Sequence, residues 1–170
     1  MQTLDSVVRT KKAHCLEAAL SAVAILEYHG YAPLILDLES TDYLDHTLFL
    51  YKQNNRYGSV GMSRDVGLYG RKPVFKTIRA LAMSYAAPYI DEHACLKSFG
   101  VLDLRTLNSD AWRNSKNNVW YVEEALRNIP HQKLHLPKTF VSSWRLKFIE
   151  WKKLHPEKQP NYFAQTQTWM

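Results

Sequence analysis

The chain has 170 residues, 46% hydrophobic and 22% charged, with a formal net charge of +6. That length holds one sizeable core and is short for two domains, and no apolar run reaches the roughly 20 residues a membrane-spanning helix needs, which argues for a single globular domain with no membrane partner. The excess charge is lopsided, with 12 Lys/Arg against 12 Asp/Glu in residues 1–112 and 10 against 4 in residues 113–170; those late cations are spaced singly, so they read as a solvated face and argue against a nucleic-acid partner.

Met1 to Lys12 carries scattered charges and no apolar h-region, so it is not a secretory signal. With only two cysteines, Cys15 and Cys95, the expectation is a cytoplasmic chain whose thiols stay free. After a polar lead-in with Thr10 as a cap, a helix is predicted over Ala13 to His29, ended by Gly30 as its left-handed C′ residue. This helix is apolar nearly all round (Leu16, Ala19, Leu20, Val23, Ile25, Tyr28), which predicts that it runs through the middle of the domain.

Ala32 to Leu38 reads as a buried strand with Pro33 at its start. Asp45 to Tyr51 and Tyr57 to Ser63 form a predicted antiparallel hairpin around a turn at Lys52 to Arg56; Gly58 and Gly61 mark a close approach by another backbone or a ligand. A turn centred near Asn54 sets His46 opposite residues 61–63, close to Ser63 and Asp65. Arg64 to Lys72 reads as a loop, and Phe75, Ile78, Leu81, Ala82 and Tyr85 predict a helix from Val74 to Tyr89. A short strand follows around Phe99 to Leu102, then a helix capped by Asn117 or Asn118 and closed by Pro130, then a loop over His131 to Pro137. The last helix, Thr139 to Leu154, aligns Phe140, Trp144, Phe148 and Trp151 on one face, which reads as core packing. The domain is thus expected over residues 1–155, with residues 156–170 an extended or disordered tail.

The chemistry centres on Cys15. A thiol in the first turn of a helix meets backbone N–H groups without intrahelical partners and the positive end of the helix dipole, both of which favour thiolate. His46, opening a strand in an antiparallel sheet, supplies a base: the thiolate attacks a carbonyl carbon, and the imidazole takes the thiol proton and later returns it to the leaving group. His14 reads as a cap or surface residue, and Glu17 as a structural residue, either a buried partner for an Arg or His or a complement to the helix dipole. A zinc site from Cys15, His14 and His46 lacks a further ligand at zinc spacing, and no phosphate- or dinucleotide-binding fingerprint is present, so neither metal nor cofactor is expected.

Lys11 to Ala19, Leu34 to Leu38, Asp45-His46, Arg56 to Gly61 and Arg71 to Tyr85 resemble uncharacterised members of the transglutaminase-like superfamily. The resemblance spans about Thr10 to Tyr89. It implies an α+β fold with a papain-like core, in which a cysteine-bearing helix packs on an antiparallel sheet that carries histidine and aspartate. It also implies a cysteine hydrolase or acyl transferase acting on a peptide or small amide, or a relative that has lost activity and serves as a binding module. Residue by residue, the cysteine falls on Cys15 and the histidine on His46. The aspartate position falls on Gly61 to Ser63, so Ser63, which brings no charge, or Asp65, two residues on, would be the third member. A Cys–His dyad is better supported than a full triad.

Overall fold

The computed structural model describes residues 7, 13–63, 66–113 and 119–156. Six antiparallel strands form one sheet in the order β4-β3-β2-β1-β5-β6. They are β1 (Leu34–Ser40), β2 (His46–Gln53), β3 (Arg56–Val60), β4 (Arg71–Phe75), β5 (Leu96–Asp103) and β6 (Gln132–Lys133), and the helices are α1 (Cys15–Tyr28), α2 (Ile78–Met83), α3 (Trp120–Asn128) and α4 (Lys138–Leu154).

Strand alternation divides the core between the two faces of this sheet. Ile35, Phe49 and Leu102 meet Leu16, Ala19, Leu20 and Val23 of α1, and Trp112, Val119, Val122 and Leu126 close over the same cluster. Leu36, Leu38, Leu48 and Leu50 face the other way, onto Leu81, Ala82, Tyr85 and Tyr89. The α+β class expected from sequence is therefore present. Helix α1 is not buried all round: it packs one side on the sheet and leaves Ile25 and Tyr28 exposed. Its many small alanines make it apolar without requiring burial of every face.

The β2–β3 hairpin closes on Asn54 and Asn55, at φ 48° and 57°. That is a two-residue turn in the left-handed region, where Asn is tolerated, and it is tighter than the five-residue turn predicted. Phe49 pairs with Val60 as the last pair of the ladder, and β3 stops there, short of the residues 61–63 that the sequence sets opposite His46.

Two predicted elements are corrected. Arg71–Phe75, expected as loop and helix start, is strand β4 on the sheet's edge, the place where Pro73 is tolerated. The helix that follows is short. Thr77 caps it by accepting from the Ala80 N–H at 3.0 Å, and it ends at Met83, ahead of Pro88, which cannot continue a helical ladder. Within the predicted loop 131–137, Gln132–Lys133 adds strand β6. Helix α4 also departs from expectation: no residue of it is buried, and none belongs to either core cluster. It is held by Arg145, which donates to the carbonyls of Asp91 at 3.1 Å and His93 at 3.3 Å. Thr10, Asp65, Asn117, Asn118 and the tail beyond Pro156 lie outside the described residues.

Candidate functional site

The mouth of α1 is built by its own first turn. His14 is the extended N-cap residue, and its N–H donates to Glu17 Oε2 at 2.9 Å; Glu17, 2% exposed, is thus a capping carboxylate. The ladder begins with the Ala18 N–H donating to the His14 carbonyl at 2.9 Å. The N–H groups of Cys15, Leu16 and Glu17 therefore precede any intrahelical acceptor. Cys15, the first helical residue, is half-buried, and both it and Cys95 are free thiols.

Cys15 lines a cleft of about 790 Å³ together with His46, Ser63, Leu68 and Tyr89. Three of the sequence-predicted residues, Cys15, His46 and Ser63, thus border one space. His46 is 4% exposed, and its Nε2 lies 2.9 Å from the Leu68 carbonyl oxygen. A carbonyl only accepts, so Nε2 carries the proton, and Nδ1 is the nitrogen suited to act as base.

The loop presenting that carbonyl is fastened from both sides. Arg71, 1% exposed, donates to the carbonyls of Tyr69 (2.6 Å) and Gly67, the two residues flanking Leu68, and its guanidinium lies 4.1 Å from the centre of the Tyr85 ring. Tyr85 donates to the Tyr69 carbonyl at 3.1 Å, and Ser59, which accepts the Arg71 N–H, gives its own proton to Tyr85 at 2.6 Å. Burial pushes the Tyr85 phenol up to about 12, so it remains a donor. Of the two glycines, Gly58 has the expected close backbone approach, since a Cβ there would stand 2.7 Å from the Arg71 carbonyl, where β4 passes, whereas at Gly61 the near neighbour is the Leu48 side chain at 2.9 Å.

The side from which His46 points was not legible in the sequence. It shares a face of β2 with Leu48 and Leu50, while α1 covers the opposite face, with Phe49. The cleft therefore wraps the end of β2 and is not enclosed between helix and sheet. Tyr89, a helix residue and not a site candidate in the sequence reading, adds a phenol whose proton is held chiefly by burial, with Asp45 and Asp42 adding to it; its hydroxyl donates to the Leu44 carbonyl.

On the α1 face a second groove, of about 620 Å³, also reaches Cys15 and is lined by Asp37, Glu39, Asp45 and Thr47. His131 reaches into its wall: Nε2 is 3.0 Å from Asp37 Oδ2, and Nδ1 is 3.0 Å from the Ile129 carbonyl. Gly100 pairs with Asp37 across β1 and β5, and a Cβ there would stand 2.8 Å from His131 Nε2, so the imidazole can cross β5 only over a glycine. The Asp37 carboxyl is pushed up to about 6, mainly by burial, with Asp45 and Glu39 adding to the rise and the His131 bond opposing it. The sequence signal for this pair was an aspartate inside a leucine-rich strand.

Comparison with protein-family models and with curated proteins finds no match to this chain.

Proposed function

We propose that the chain is a cysteine-dependent amide hydrolase or acyl transferase of the transglutaminase-like type, with Cys15 as nucleophile and His46 as general base. The observation that carries this reading is the shared cleft: a helix-start thiol and a buried imidazole border one space large enough for a peptide or small amide. Cys15 Sγ attacks the amide carbon as its proton passes to His46 Nδ1. The carbonyl oxygen takes up the electron pair beside the N–H groups that begin α1, and collapse of this intermediate breaks the C–N bond, the amine leaving with the proton from Nδ1. Water or an amine then cleaves the thioester.

The Leu68 carbonyl takes the part that the resemblance gave to an aspartate. It orients the imidazole through Nε2 without bringing charge, so the imidazolium gains less stabilisation than beside a carboxylate. Ser63 is retained as a cleft residue. A papain-like relation of helix to sheet is part of the proposal, supported by α1 packing on an antiparallel sheet. A reducing, cytoplasmic setting suits the two free thiols.

Alkylation by iodoacetamide, followed by mass spectrometry at neutral pH, tests the dyad. Cys15 should react faster than Cys95, and His46→Ala should slow Cys15 by about tenfold or more, as loss of a general base does. A second reading, a binding module with an inert thiol, is favoured by His46 projecting from the face of β2 opposite the one that α1 covers. It requires equal rates in the two proteins, which would end the enzyme reading.

A further inference from the structure

Helix α4 carries an aromatic stripe that the core does not use. None of its residues is buried, and none belongs to either core cluster. One member of the stripe, Phe148, instead lines the cleft that holds Cys15 and His46. The helix lies beyond Thr10 to Tyr89, so the resemblance drawn from that stretch implies nothing about this wall.

Phe148 is set in place by its own helix. Arg145 stands three residues before it, less than one turn away on the same side. The guanidinium reaches three carbonyls of one segment: Nε donates to Asp91 at 3.1 Å, and Nη2 donates to His93 at 3.3 Å and to Ala94 at 3.4 Å. Asp91 and Ala94 border the cleft themselves. The planar fork therefore clamps α4 to the edge of the cleft, and Arg145 is a positioning residue for Phe148.

The other lining residues show what such a wall recognises. Leu44, Met62, Leu68, Tyr89 and Ile90 join Phe148 around the hollow. Leu44 is 73% exposed and Met62 is 64% exposed, so large apolar side chains stand in water where they border it. The carboxylates of the lining are turned to the backbone instead. Asp42 accepts the Leu44 N–H at 3.2 Å, Asp45 accepts the Ser40 N–H at 2.9 Å, and Asp91 accepts the N–H groups of His93 and Ala94. No lysine or arginine is among the described residues that line the cleft. An anionic group entering it meets carboxylates and no cation, whereas an apolar group meets hydrocarbon.

We propose that α4 makes this cleft selective for an acyl group bearing an uncharged, apolar side chain, with Phe148 as the specificity-determining residue and Arg145 holding it there. This rests on Cys15 as the nucleophile of the same cleft; recognition of the apolar side chain itself needs no reactive thiol.

The test is an NMR titration of the full chain carrying Cys15→Ala, in which no thiol at this position can cleave the ligand, with the amides of Nα-acetyl-phenylalanine, Nα-acetyl-lysine and Nα-acetyl-aspartate. Saturable shifts of the Met62 methyl group and the Phe148 ring are expected with the phenylalanine amide, weaker ones with the lysine amide and none with the aspartate amide. Phe148 is outside both core clusters, so replacing it opens no core. Phe148→Ala should weaken the phenylalanine amide about fivefold, as loss of a modest apolar contact does. Arg145→Met should weaken it likewise where Phe148 is present and add nothing where it is alanine; a purely structural role would lower both. Leu146→Ala, at a position 59% exposed on the same helix, should change nothing. Binding that ignores Phe148→Ala, or a lysine amide held more tightly than the phenylalanine amide, would overturn the proposal. An alkylation rate indifferent to His46→Ala would refute the acyl-transfer reading while this binding persists, so the two failures are told apart.

Discussion

Arg71 governs the candidate site without bordering the cleft around Cys15. Its planar fork holds the carbonyls on either side of Leu68, and Leu68 in turn holds His46. A lysine carries a point charge on a flexible stem and cannot span both carbonyls. Arg71→Lys should therefore lower stability by about 1–3 kcal/mol, as breaking a buried network does, measured by urea unfolding. It should also slow alkylation of Cys15 in the chain that retains His46 and not in His46→Ala. An equal slowing in both backgrounds would show that Arg71 acts on folding alone. Asp37 makes a prediction about pH. Its carboxyl is held near 6 in the fold against an ordinary 3.8, so the folded chain binds the proton more tightly than the unfolded one. The stability it contributes is whole below about pH 4 and is lost as pH rises through 6, about 3 kcal/mol in all. Asp37→Asn removes that slope. Its urea midpoint should gain on the parent's between pH 4 and 7, and a constant difference would refute the assignment. At this scale the sequence spoke clearly where chemistry is local: Cys15 and Glu17 stand where a helix start dictates. It was silent on Asp37 and His131, because 94 residues separate two side chains whose meeting depends on the whole sheet.

Elements were legible where their signals are short-ranged. Gly30, at φ 84°, follows α1 as a left-handed residue, and the paired asparagines close the hairpin. The region after β3 was misread because Phe75, Ile78, Leu81, Ala82 and Tyr85 keep a helical spacing although only Ile78–Met83 forms a helix. Their burial comes from a strand, a short helix and turns packed on one sheet face, so periodicity alone could not separate these from a continuous helix. The aromatic stripe of α4 misled in the same way, since spacing reveals a common face and not what covers it. Strand β5 shows what an element needs from its neighbour. Gly100 lets His131 cross it, and a methyl group there would also stand 2.8 Å from Ile129 Cδ1. Gly100→Ala should displace the imidazole and cost about 1–3 kcal/mol, in line with other overpacking substitutions. The loss should be visible in thermal unfolding and in a shifted His131 ring resonance by NMR. An unshifted His131 resonance would mean that the ring does not lie over this glycine.

For the molecule as a whole, the sequence supported an α+β class and a hairpin register, and left the sheet's order open. Order depends on β5 joining β1 across more than fifty intervening residues, a pairing that no local pattern announces. That late pairing bears on how the chain is made. As synthesis proceeds, α1 and the first four strands emerge well before Leu96, and until β5 arrives the leucine-rich β1 is an open sheet margin, paired with β2 on one side and with its β5-side amides without a strand neighbour. Such margins recruit other chains. A fragment ending at residue 95 should sediment as aggregates at concentrations where the full chain stays dispersed. If it remained monomeric in ultracentrifugation, β1 would have another shield. The birth of this protein thus contains an interval in which its central strand is a hazard, and the codons of β5 are what end it.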